Sequence, residues 1–96
     1  MFDAGIAAKA RPFVVISRAD ESPPRAITVL APLTTSYRGS GYEVSIGTPR
    51  FLREESYVNL QGVQAVLTVK FGRYLGRLDE ATMAKIRSGL RFVFDL

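Results

Sequence analysis

Pro12-Phe13-Val14-Val15-Ile16-Ser17 is a β-branched and aromatic run with Lys9 and Arg11 before it and Arg18 and Asp20 after it. It reads as a buried strand, with Pro12 tolerable only at the beginning, because a proline has no N–H for a ladder. Downstream, Asp20-Glu21-Ser22-Pro23-Pro24-Arg25 breaks the pattern, since two adjacent prolines cannot continue a strand interior. Ala26-Ile27-Thr28-Val29-Leu30-Ala31 follows as a second strand, which Pro32 is expected to end. Thr34 to Gly41 is a polar, glycine-rich loop, and Tyr42-Glu43-Val44-Ser45-Ile46 alternates faces as a third, half-exposed strand closed by Gly47-Thr48-Pro49. Two shorter strands are expected near Tyr57–Gln61 and Ala65–Val69, with Gly62 between them.

The last eighteen residues change period. Met83, Ile86, Leu90, Val93 and Phe94 fall at helical spacing, and Asp79 stands where a helix N-cap belongs. Gly89 inside that helix costs about 1 kcal/mol relative to alanine, which predicts a contact that needs a small residue. Short antiparallel strands followed by one C-terminal helix give a mainly β, α+β class, a small barrel or roll. The chain has 96 residues and no repeat, linker or low-complexity segment, so residues 1–96 are expected to form a single domain.

Composition narrows the chemistry. The chain has no cysteine and no histidine, which removes disulfides, thiolate zinc sites, thiol nucleophiles and every histidine-assisted nucleophile. Hydrophobic residues make up 47% and charged residues 23%, an ordinary globular balance rather than a disordered one. Thirteen Lys plus Arg against nine Asp plus Glu give +4, and ten of the thirteen are arginines, which fork onto phosphate oxygens. Composition therefore leans toward an anionic partner. The start carries Asp3 where a secretory signal would be basic, and no apolar run approaches the roughly 18 residues of a membrane span. A cytoplasmic protein without membrane attachment is expected.

No glycine-rich phosphate loop is present, and the carboxylate pairs Asp20-Glu21, Glu54-Glu55 and Asp79-Glu80 are direct neighbours, which on a strand point to opposite faces. They read as solvated charges, and no metal site or cofactor is expected. Two places are chemically loaded: Lys9-Ala10-Arg11-Pro12 before one buried strand, and Pro32-Leu33-Thr34-Thr35-Ser36-Tyr37-Arg38 after another. If the two strands pair, both groups lie at one rim. The plainer alternative makes Arg11 a solvated flank and Thr34 to Ser36 turn chemistry.

Arg11-Pro12-Phe13-Val14-Val15-Ile16-Ser17 resembles the Arg-Pro-x-x-Val-Ile-Ser signature of the MazF/PemK toxins of bacterial type II toxin–antitoxin systems. Val29-Leu30-Ala31-Pro32-Leu33-Thr34-Thr35-Ser36 is similar to that family's Val-x-x-Pro-Ile/Leu-Thr-Ser strand end. Tyr42-Glu43-Val44 and Leu75-Gly76-Arg77-Leu78-Asp79 stand where the family has an aromatic-Glu-Val strand and an Ile/Leu-Gly-Arg-Leu junction. Four segments in order cover nearly the whole chain. The resemblance implies an SH3-like (PemK/CcdB-like) barrel, a homodimer, a cognate antitoxin, and sequence-specific, metal-free cleavage of single-stranded RNA to 2′,3′-cyclic phosphate and 5′-hydroxyl ends. By motif position Arg11 matches the catalytic arginine and Thr34 the catalytic threonine, with Glu43 the nearest candidate for the proton acceptor. Lys9, Ser36, Tyr37, Arg38 and Gln61 are expected along the RNA track, because single strands are held by stacking and phosphate neutralisation.

Two departures accompany the resemblance. Family members begin earlier, so Met1-Phe2-Asp3-Ala4-Gly5 reads as the tail of a shortened first strand, with a sheet edge exposed. Gln61-Gly62-Val63-Gln64 lacks the arginine that many relatives carry, which bears on the RNA sequence recognised and not on the reaction. Two other functions stay open: a protein-binding poison on the same barrel, of the gyrase-inhibitor CcdB type, and an inactive remnant that binds without cutting.

Overall fold

The computed structural model describes residues 2–3, 12–18, 20–50, 52–68 and 75–96. Its strands are β1 (Phe2–Asp3), β2 (Pro12–Val15), β3 (Ile27–Thr34), β4 (Glu43–Gly47), β5 (Ser56–Asn59) and β6 (Gln64–Leu67). A 3-10 turn, Leu60–Gly62, joins β5 to β6, and one helix, α1 (Glu80–Phe94), follows. Among the described residues all pairings are antiparallel, in the order β1-β2-β3-β5-β4, with β6 also on β3. The mainly β arrangement with a C-terminal helix is the one the residue patterns predict.

β3 is the spine. One edge carries β2, with Phe13 facing Pro32 and Val15 facing Leu30. The opposite edge carries β6 along Ile27–Leu30 and then β5 along Leu33–Thr34. Here the expectation that Pro32 ends the strand is corrected: β3 runs through it to Thr34. Residues 31 and 32 pair with neither β6 nor β5 on that edge, so the change of partner leaves a gap. The Pro32 ring fills it against the 3-10 turn, where a Cβ on Gly62 would lie 2.7 Å from Pro32 Cγ. A proline is tolerated where the ladder has no bond to lose. Similarly, the strand expected over Tyr57–Gln61 stops at Asn59, whose side chain accepts the Gln61 N–H and caps the 3-10 turn instead.

Period-two alternation sets the faces. Val14 and Ala31, opposed across β2 and β3, join Val58, Leu60 and Ile86 in a buried cluster. Phe13 and Leu30 point the other way and are buried as well, so the β2–β3 pair is covered on both faces, as its unbroken apolar run requires. α1 lays Met83, Ile86, Leu90 and Val93 on this cluster. It packs chiefly on β4 and the 3-10 turn, a footprint one stripe wide, and Phe94, counted in the stripe from spacing alone, stands outside it at 55% exposure. Asp79 caps the helix as expected, accepting the Thr82 N–H at 2.8 Å, and hydrogen bonding from the Thr82 side chain, then from its backbone N–H, holds the Asp79 carboxyl below the ordinary carboxylate range. Gly89 meets its predicted contact: a Cβ there would fall 2.5 Å from Leu60 Cδ1.

Candidate active site

The same alternation that buries Val58 turns Tyr57 and Asn59 of β5 outward. Tyr57 faces Thr34 on β3 and Ser45 on β4, while Asn59 faces Glu43. Thr34, Tyr57, Asn59 and Glu43 therefore share the outer face of the β3-β5-β4 sheet. The segment between β3 and β4 folds back over that face. It encloses a polar recess of about 310 Å³ lined by Thr34, Ser36, Arg38, Ser40, Glu43, Asn59 and Gln61.

Short-range hydrogen bonds give the segment its shape. The Ser36 N–H donates to Thr34 Oγ1 at 3.0 Å, a hydroxyl-closed turn that leaves the Thr34 O–H proton to be donated elsewhere. The Arg38 N–H donates to both oxygens of the Glu43 carboxylate, at 3.1 and 3.3 Å, and the Ser40 hydroxyl donates to Glu43 Oε1 at 3.1 Å. Glu43 thus ties the chain five residues before it to the start of β4. Gly39, at φ +69°, turns the segment between these two ties, in a region where side chains are strained. Its far end is held from outside: the Phe92 ring of α1 lies edge-on to Tyr42 at 5.4 Å, and a Cβ on Gly41 would fall 2.9 Å from that ring.

Next to the recess, the rings of Tyr37 and Tyr57 stack at 4.5 Å between centroids and 12° between planes. The Tyr57 hydroxyl donates to Glu55 Oε1 at 2.8 Å, and this bond raises the phenol above its ordinary pKa. Among the described residues, no three His, Cys, Asp or Glu side chains gather as a metal site.

Five residues singled out in the sequence, Thr34, Ser36, Arg38, Glu43 and Gln61, line one recess, and Tyr37 stands beside it. Lys9 and Arg11 lie outside the described residues. β2 and β3 run antiparallel, so Pro12, which Arg11 precedes in sequence, begins β2 at the end where Thr34 closes β3. Ser40, Asn59 and Tyr57 were not picked out. The period-two spacing of Tyr57, Asn59 and Gln61 carried a signal for two of them, since it puts them on one face if the segment is extended.

Comparison with known proteins gives a consistent set of relatives. Residues 3–94 match the model of the PemK-like, MazF-like toxin of type II toxin–antitoxin systems. The chain is 28% identical over 88 residues to Endoribonuclease MazF3 of Mycobacterium tuberculosis, covering 92% of this chain and 85% of that protein. It superposes on the Mycobacterium tuberculosis toxin MazF-mt6 with a TM-score of 0.86 at 26% identity, covering 99% of this chain and 96% of that one. A mycobacterial endoribonuclease in complex with its cognate antitoxin superposes with a TM-score of 0.84 at 27% identity, covering 99% and 90%.

Proposed function

Because the chain belongs to the PemK-like, MazF-like toxin family of type II toxin–antitoxin systems, we propose that it is the toxin of such a pair, an endoribonuclease that cuts single-stranded RNA beside the recess. The observation that carries this reading is the position of Thr34: it lines the recess at the end of β3, level with the start of β2. RNA brings its own nucleophile, and the site has to hold the 2′-hydroxyl in line with the adjacent phosphorus. The 2′-oxygen bonds to phosphorus as the bond to O5′ breaks. The 2′-hydroxyl gives up its proton and O5′ takes one, which leaves a 2′,3′-cyclic phosphate and a 5′-hydroxyl.

Negative charge gathers on the phosphoryl oxygens in the transition state. The Arg11 guanidinium and the Thr34 hydroxyl are the groups to stabilise it, and a guanidinium suits this because it stays charged in nearly any setting. Lys9, Ser36, Arg38 and Gln61 hold the flanking strand. Among the described residues Glu43 is the single carboxylate lining the recess, and the loop engages both its oxygens. That supports an anchoring role. Glu43→Gln is expected to speed hydrogen exchange at the Arg38 amide roughly fivefold, about 1 kcal/mol of lost charge-assisted bonding, with less than a tenfold loss of cleavage. A loss as large as that of Thr34→Val, with exchange unchanged, would make Glu43 the proton acceptor.

The partners follow from the reading: a cognate antitoxin that covers the recess, a second copy of the chain in a homodimer, and cytoplasmic messenger RNA as substrate. Purified protein incubated with a long single-stranded RNA in excess EDTA is expected to give fragments with 5′-hydroxyl ends at a recurring short sequence. Intact RNA from a cooperatively folded protein would overturn the nuclease.

A further inference from the structure

Tyr37 is 53% exposed, one of the large apolar side chains that the fold leaves in water. One of its faces is spent on Tyr57, in a stack close to parallel. Tyr57 is the fixed member of the pair. It sits inside β5 between Thr34 and Ser45, and its hydroxyl is bonded to Glu55. Directly opposed side chains in an antiparallel pair stand about 5 Å apart at Cβ, so the lower ring of the stack begins beside the Thr34 hydroxyl. Tyr37 follows Ser36, whose N–H is bonded to that hydroxyl, so the upper ring is set by the same turn. The result is a flat two-ring ledge, exposed on its Tyr37 side, next to the recess and made of two rings that do not line it.

We infer that the Tyr37–Tyr57 stack is a nucleobase subsite: the base of the nucleotide flanking the cleaved phosphate stacks on the outer face of Tyr37. The inference rests on the RNA-cleaving reading above and assigns Tyr57 as the ring that positions Tyr37. A flat π-surface accepts any base, so the ledge contributes affinity and register, while Gln61 and the other polar groups of the recess contribute sequence preference. Its place inside β5 holds the Tyr57 ring, and the exposed bond from its hydroxyl to Glu55 is not part of the binding surface.

The test uses a fluorescein-labelled random-sequence 12-mer RNA with every 2′-hydroxyl methylated, which removes the nucleophile, and an abasic strand with the same phosphates. Wild-type protein is expected to bind the base-bearing strand more tightly. Tyr37→Leu should weaken that binding roughly 5- to 150-fold, the range for one stacked base, and leave the abasic strand unchanged. Tyr57→Leu should weaken it in the same strand-selective way, while Tyr37→Trp and Tyr57→Phe, which keep the rings, should bind as wild type does. Each variant is compared by thermal unfolding. A Tyr37→Leu protein that unfolds normally and binds the base-bearing strand as wild type does would overturn the subsite and leave the nuclease standing. Equal losses on both strands would also overturn it. Failure of the wild type to bind either strand or to cut unmodified RNA would overturn the RNA reading, and the subsite with it.

Discussion

Thr34→Val is expected to lower the rate of RNA cleavage by about 100- to 1,000-fold, with RNA affinity and thermal unfolding close to wild type. The substitution keeps a β-branched side chain at the end of β3 and removes one hydroxyl. That hydroxyl accepts the Ser36 N–H, an exposed bond that water can replace, so the folded state loses little. On the proposed mechanism the transition state loses a donor to the phosphoryl oxygens, and water admitted to the recess is a poor substitute for a positioned group. Thr34→Ser keeps the donor and is expected to retain most of the activity. Arg11→Ala should be at least as damaging, because it removes a full positive charge. The double substitution should cost less than the product of the two losses, since groups that act on the same oxygens are not additive. The measurement is single-turnover cleavage of a mapped RNA, with binding of its 2′-O-methyl analogue beside it. A Thr34→Val enzyme within tenfold of wild type would remove the hydroxyl from the mechanism.

Ile86→Ala is expected to destabilise the protein by about 2 to 5 kcal/mol, enough to lower Tm by roughly 10 °C or more in a chain of this size. Ile86 is fully buried on α1 and meets Val14, Ala31, Val58 and Leu60, so its truncation opens a cavity where helix and sheet join. Three residues on, Gly89→Ala is expected to destabilise for the opposite reason. Alanine in a helix interior gains about 1 kcal/mol over glycine, and overpacking costs about 1 to 3. The new methyl would fall 2.5 Å from Leu60 Cδ1 and 3.0 Å from Val44 Cγ2, and Leu60 is itself buried with nowhere to retreat. The clash outweighs the propensity, and thermal unfolding should show a lower Tm for both variants. A Gly89→Ala protein with a raised Tm would mean that the helix rides further from the sheet than this packing requires.

Much of this molecule is written in local pattern. The apolar run at Phe13–Ile16 reads as a buried strand, the Met83–Val93 spacing as one face of a helix, and Asp79 as its start. Even the tight approach at Gly89 was legible, because a glycine that weakens a helix interior implies a neighbour that needs the space. The motif carrying Thr34, Ser36 and Arg38 was legible as well, since its hydroxyls and cation are contiguous. Three things were not: that β3 runs straight through Pro32, that Ser40 and Asn59 line the recess, although spacing signalled the face Asn59 shares with Tyr57, and that Glu43 holds the loop with both oxygens. Each depends on register. Pro32 is harmless only where β3 exchanges β6 for β5 on one edge, and Asn59 reaches the recess only because it lies opposite Glu43. Residue chemistry and spacing determined which elements form, which faces they bury and which groups are chemically competent. Only the tertiary pairing decided which of those groups meet, because a strand's partner is chosen by the whole core and not by its own residues.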